Sequence, residues 1–194
     1  MHTLRRGLLA MVVAVALAPV GCSSVTLRHP LPANGGASDR AQLEGCWRSG
    51  GEVVFVEFSD DGVGRIAGVD WKDGRFQLGE AEMVVSRAAD RGFLSVRTRG
   101  TSGWDRELYL LEFHATDDGD LVLWAPDPEA FAVAVDQGRL EGTVERDEHS
   151  LNVTLTGAPE KVLAFLGDPA SGELFDLRRP IVVTRVTAPP GPHR

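Results

Sequence analysis

The chain has 194 residues, 43% hydrophobic and 25% charged, which suits one folded domain with terminal segments and excludes a wholly disordered chain. Its formal net charge is −8, with 28 acidic against 20 basic residues, so it lacks the basic balance of a nucleic-acid binder and nucleic acid is not expected as a partner.

Residues 1–21 begin with Arg5 and Arg6, continue through an apolar run from Leu8 to Val20, and stop at Gly21-Cys22. This is the layout of a secretory signal, and the run falls short of the roughly 20 apolar residues that span a bilayer. The stretch Leu17-Ala18-Pro19-Val20-Gly21-Cys22 resembles the lipobox of bacterial lipoproteins, with a small residue before the cysteine and Pro19 where the pattern usually carries an aliphatic residue. The resemblance implies that Cys22 is the lipidation site and the first residue of the mature chain. It further implies a membrane partner reached through palmitate-like acyl chains. Ser23 is not acidic, which by the same resemblance favours the outer membrane, facing the periplasm. Two or more acyl chains anchor stably where one holds only marginally. Cleavage removes Arg5, Arg6 and no acid, taking the charge from −8 to −10, so direct contact with anionic headgroups is disfavoured. Lipidation of Cys22 leaves Cys46 without an intramolecular partner, and a buried, inert thiol is expected there.

Residues 23–40, following Cys22, are rich in Ser, Pro, Asn and Gly without an apolar period and predict a flexible tether with an end-to-end distance of about 25 Å. The tail, residues 188–194, carries Pro189, Pro190 and Pro192 and predicts disorder. The folded domain is then expected over residues 41–187.

Within it, short runs rich in Val, Leu, Ile, Phe and Thr alternate with turn signals such as Asp60-Asp61-Gly62, Asp73-Gly74, Asp118-Gly119 and Gln137-Gly138. Strands are predicted near 51–58, 63–70, 75–79, 82–86, 92–98, 106–114, 120–125, 130–135, 139–145 and 149–156. Alternation is clearest in Leu151, Val153 and Leu155 against Asn152, Thr154 and Thr156, the pattern of a half-buried strand. Pro159, Glu160, the stripe Val162, Leu163, Phe165 and Leu166, and the stop at Gly167 predict one short helix that must dock on the sheet. A last strand is expected from Ile181 to Val186. The fold class is therefore all-β, an antiparallel up-and-down meander closing into a barrel or sandwich, with one short helix before the last strand.

Gly45-Cys46-Trp47 at the entry to the first strand, followed by up-and-down strands, a helix and a final strand, resembles the lipocalin and wider calycin families over about 145 residues. The resemblance implies a barrel whose closed end is plugged by Trp47, with Arg185 packed on the indole and Thr116-Asp117-Asp118 echoing a family turn. It also implies carriage of a small apolar molecule.

No Gly-x-Ser-x-Gly turn marks a nucleophile, and of five His only His114 and His149 lie in the expected domain, so no enzyme activity and no cofactor are expected. His114, Asp117, Asp118 and Asp120 follow no calcium-loop or zinc spacing and read as a solvated hairpin tip. Asn152-Val153-Thr154 forms a glycosylation sequon that a bacterial address makes accidental. Trp104 and Trp124 fall at strand ends separated by two strands, and alternate connections of a meander share one end. With Tyr109 nearby, these three are the expected ligand-binding residues at an aromatic mouth. Trp47 and Trp71 are assigned to the opposite end if strands 75–79 and 82–86 are separate. The leading expectation is a lipid-anchored envelope barrel that binds an apolar small molecule or acyl chain. The alternative is a protein-interaction or envelope-structural module with a side-chain-filled barrel.

Overall fold

The computed structural model describes residues 23–186 apart from 50, 51, 73, 74, 101 and 172. Residues 1–21, expected as a signal, Cys22 and the tail at 188–194 lie outside the described residues. Chain order is β1 (Ser24–Leu27), α1 (Ala37–Leu43), β2 (Gly45–Ser49), β3 (Glu52–Phe58), β4 (Gly64–Lys72), β5 (Arg75–Ala88), β6 (Arg91–Gly100), β7 (Gly103–Trp104), β8 (Leu108–Ala115) and β9 (Leu121–Trp124). There follow α2 (Pro128–Asp136), β10 (Gly142–Asp147), β11 (Ser150–Leu155), α3 (Pro159–Gly167) and β12 (Ile181–Arg185).

Eight strands close an antiparallel barrel in the order β2-β3-β4-β5-β6-β8-β9-β12, with β12 returning to β2 through Arg185 opposite Trp47. The meander prediction therefore holds, although the eighth strand arrives only after an excursion through α2, β10, β11 and α3. That excursion builds a three-stranded wing, β10-β11-β1, joined to the barrel where Thr26 and Leu27 pair with Tyr109 and Leu108. The outer edge of β8 is thus shared. Its first residues pair with β1, and Glu112 to Ala115 pair with β9.

Two apolar cores result. The first lies inside the barrel, around Trp47, Met83, Leu111, Phe113, Leu123 and Val183. The second lies outside it, where Phe93, Leu108 and Leu110 meet the wing and the helices. Alternation along β8 serves both at once, Leu110 going outward and Leu111 inward. As predicted, α3 docks there through Val162, Leu163 and Leu166, but Phe165 is only half-buried, with the Arg139 guanidinium 4.8 Å from its ring centroid.

Several expectations are corrected. The predicted strand at 130–135 is the helix α2, capped where the Asp127 side chain accepts from the Glu129 N–H at 3.0 Å and started by Pro128 at the first turn. Its buried residues Phe131, Ala132 and Ala134 follow a helical period. The predicted strands 75–79 and 82–86 form one strand, β5, because Gly79 pairs with Gly68 in register instead of turning the chain.

The expected tether at 23–40 is ordered. Ser24–Leu27 form β1, parallel to β11, and Ala37–Leu43 form α1. Between them Leu31 donates its N–H to Ser95 Oγ at 3.1 Å, and Ser86 Oγ donates to the Pro32 carbonyl at 2.7 Å. The Asn34 amide exchanges two hydrogen bonds with the Arg87 backbone. Low apolar content kept this segment from reading as structure, but backbone and hydroxyl hydrogen bonds hold it to the barrel wall.

Candidate functional site

The two ends of the barrel differ in side-chain size. At the end shared by the start of β2 and the close of β12, the inward positions carry Trp47, Phe58, Met83, Val85, Phe113 and Leu121, and Leu43 of α1 lies across them. Trp47 is 2% exposed and donates its indole N–H to the Leu43 carbonyl at 2.7 Å. The Arg185 guanidinium lies 4.4 Å from the Trp47 ring centroid. It donates from Nη1 to the Glu44 carbonyl at 2.8 Å and from Nη2 to the Gln42 carbonyl at 2.6 Å. Gly45 has φ +130°, and a Cβ there would stand 2.8 Å from Arg185 Nη1, so glycine both permits the bend and leaves room for the guanidinium. Trp47 and Arg185 therefore close this end together, as the resemblance implied.

Asp39 fastens α1 in place. Its carboxylate accepts from the Gly36 N–H at 2.8 Å and from Arg87 Nε and Nη2 at 2.9 and 2.6 Å. Burial pushes this carboxyl up, but the hydrogen bonds from Arg87 and Gly36, with the charges of Arg87 and Arg40, outweigh it and hold the group below its ordinary 3.8.

Toward the other end several inward positions carry smaller residues, beside Val96, Tyr109 and Ile181. Across the register Trp47–Val54–Gly68–Gly79 the inward positions shrink to glycine. In the next row, Ile66–Ala81–Thr98, an alanine and a threonine follow. Tyr109, opposite Val96 and two residues before the inward Leu111, occupies the inward face here. Sequence reasoning singled out Tyr109 but missed Gly68, Gly79 and Ala81, whose common face follows only from the strand register.

The expected aromatic mouth is not assembled. Trp104 lies on the outer face, 37% exposed, with the Arg97 and Arg99 guanidinium carbons 5.2 and 5.6 Å from its ring. Trp124 also faces outward, packing against the core beneath the wing. Trp104 pairs with Arg99, Tyr109 with Val96, and Trp124 with Glu112, so the two Trp are offset by six residues along the strands, about 20 Å at the usual rise. Counting strands placed both near one rim, but barrel stagger and outward alternation separate them from Tyr109 and from each other. Because β5 is continuous, Trp71 at the end of β4 belongs to the same end of the meander as Trp104, not to the end of Trp47.

His114 is exposed near the β8–β9 turn, where the Thr116 N–H donates to the Asp120 carbonyl at 2.8 Å and Asp120 Oδ1 accepts from the Arg185 N–H at 3.2 Å. Asp120 is thereby part of the closed end. Cys46 is free and half-buried on the outer face opposite Phe55. A groove of about 570 Å³ opens where the shared edge of β8 passes from β1 to β9. Ser23 lies on one side of it, Pro126 and Pro128 on another, with Phe175, Leu151 and Leu177 among its apolar lining. Among the described residues no helix is long and apolar enough to cross a membrane. No protein-family model, curated protein or solved structure matches the chain.

Proposed function

We propose that the protein is a lipid-anchored envelope lipoprotein, lipidated at Cys22, whose barrel takes up an apolar small molecule or acyl chain through its small-residue end. The observation that carries the reading is the gradient along the barrel interior. Bulky side chains pack over the inward Gly64 and Gly92 at the end closed by Trp47 and Arg185, whereas Gly68, Gly79 and Thr98, with the buried Ala81 beside them, occupy inward positions farther along the wall. An eight-stranded barrel is wide enough either to be filled by side chains or to hold one small ligand, and small residues on one side shift that balance toward a ligand. The stacking of Arg185 on Trp47 supports the lipocalin-like reading at the level of local geometry. Orientation of the ligand falls to Thr98 and Tyr109 at the rim.

Titration of the Cys22→Ser chain with a fluorescent fatty-acid analogue tests this, together with native mass spectrometry for a retained molecule. Saturable binding weakened by Ala81→Leu, with Trp104→Ala neutral, is expected. Absence of saturable binding removes the carrier reading. The second reading, an interaction module with a filled barrel, is favoured by an apolar strip on the outer face, where Val53, Phe55, Val69 and Leu78 are each at least 36% exposed.

A further inference from the structure

The groove beside Ser23 is walled by two chain segments bonded to each other: Asp127 donates its N–H to the Leu174 carbonyl and Asp176 donates its N–H to the Ala125 carbonyl, both at 2.9 Å. Phe175 and Leu151, 3% and 8% exposed, give it apolar lining, and Leu177, 53% exposed, stands at the rim. On the remaining side the chain itself arrives. Ser23 Oγ accepts from the Leu151 N–H at 2.9 Å, Ser24 Oγ donates to Asn152 Oδ1 at 2.9 Å, and β1 begins at once. Cys22 is the residue covalently joined to Ser23, which lines the groove. In a chain processed at Cys22, no residue intervenes between the acylated cysteine and the ordered domain.

We propose that this groove seats the modified Cys22 itself, holding the thioether, the glyceryl group and the first methylenes of one acyl chain while the remaining lipid enters the bilayer. The proposal rests on the lipoprotein reading. Charge selects this occupant over a phospholipid headgroup. The lining carries four acids, Asp127, Glu129, Glu173 and Asp176, against Arg178 and Arg179, which repels a phosphate but not an N-terminal cysteine, whose amine is either acylated and neutral or free and cationic. The size falls in the range of small-molecule sites, enough for the junction of one lipid and too little for several whole chains. The consequence is mechanical: the barrel is held against the membrane by the face bearing the groove and has no tether on which to swing.

Hydrogen exchange of the full chain extracted in detergent, compared with Cys22→Ser in the same detergent, tests the proposal. The amides of Ala125, Asp127 and Glu129 and of residues 173–179 are expected to exchange at least about tenfold more slowly in the lipidated form. Leu177→Asp should abolish that difference while the lipid mass on Cys22 persists. Phospholipid vesicles added to Cys22→Ser should produce no such protection; equal protection would make the groove a general lipid site and overturn the proposal. A lipid mass on Cys22 with no local protection overturns the proposal and leaves the lipoprotein reading standing. A chain without that mass overturns the lipoprotein reading, and the groove proposal falls with it.

Discussion

Arg185 is the side chain whose removal most directly tests how the barrel is closed. Arg185→Met keeps the aliphatic stem but removes the guanidinium that covers Trp47 at 4.4 Å and bonds the carbonyls of Gln42 and Glu44 at 2.6 and 2.8 Å. Both carbonyls lie where water can replace the lost donor, so each bond is worth about 0.5–1.5 kcal/mol, not the larger figure for an orphaned buried group. Stacking on an indole adds about 0.5–1 kcal/mol at a half-exposed site. The sum predicts a loss of about 1.5–4 kcal/mol in urea unfolding followed by far-UV circular dichroism. The same variant made on Trp47→Phe should lose less, with a coupling of about 0.5–1 kcal/mol, because the two residues share the interaction. Arg185→Lys should recover only part of the loss, since an ammonium cannot reach two carbonyls and cover the ring together. A cost below about 0.5 kcal/mol, the range of uninvolved surface sites, would refute the idea that Arg185 closes this end.

Other expectations follow from burial, contact distance and charge. Leu166, fully buried, should cost about 2–5 kcal/mol on substitution by alanine, and half-buried Phe165 about 1–2 kcal/mol despite its larger ring. Equal losses in denaturant titrations would show that the outward side of α3 is misplaced. Gly92→Ala would set a Cβ 2.5 Å from the Phe113 ring and should destabilise by about 1–3 kcal/mol; thermal unfolding unchanged from wild type would contradict that contact. Asp39 has a folded-state pKa below its ordinary 3.8, so its contribution is fully present above about that pH and is lost as pH falls through the lower folded value. The stability gap between wild type and Asp39→Asn should therefore be present at neutral pH and shrink in acid, and a gap that stays constant down to low pH would show that Asp39 does not titrate against Arg87.

What could be read from the sequence was whatever is encoded locally. Leu151, Val153 and Leu155 alternate with polar neighbours and form β11, and Pro159 with its apolar stripe marks α3. The error at 130–135 is instructive because the same helix-start chemistry was present in Asp127-Pro128-Glu129. Phe131, Val133 and Val135 alternate with alanines, and that period outweighed the cap. Tertiary context decided otherwise: Ala132 and Ala134 are buried beside Phe131, whereas Val133 is 49% exposed. The strand β1 was illegible for a different reason. Its four residues pair in parallel with residues 128 positions away, and nothing within Ser24–Leu27 signals a partner at that distance.

The candidate site shows the same division between local and nonlocal information. Trp47 and Arg185 were readable as a pair only through a resemblance, since they lie on the first and last strands of the barrel, and closure brings them face to face. The aromatic mouth failed because counting strands tells which end a turn occupies but not which way a side chain points or how far the barrel staggers its strands. Those two quantities are set by register. It is register that aligns Gly68 with Gly79 and Ala81 with Thr98 on the inner wall, and sends Trp104 and Trp124 outward. The inner wall is thus narrowest in side-chain size where glycine, alanine and threonine coincide across neighbouring strands. The large aromatic residues serve instead to close the far end and to cover the outer wall.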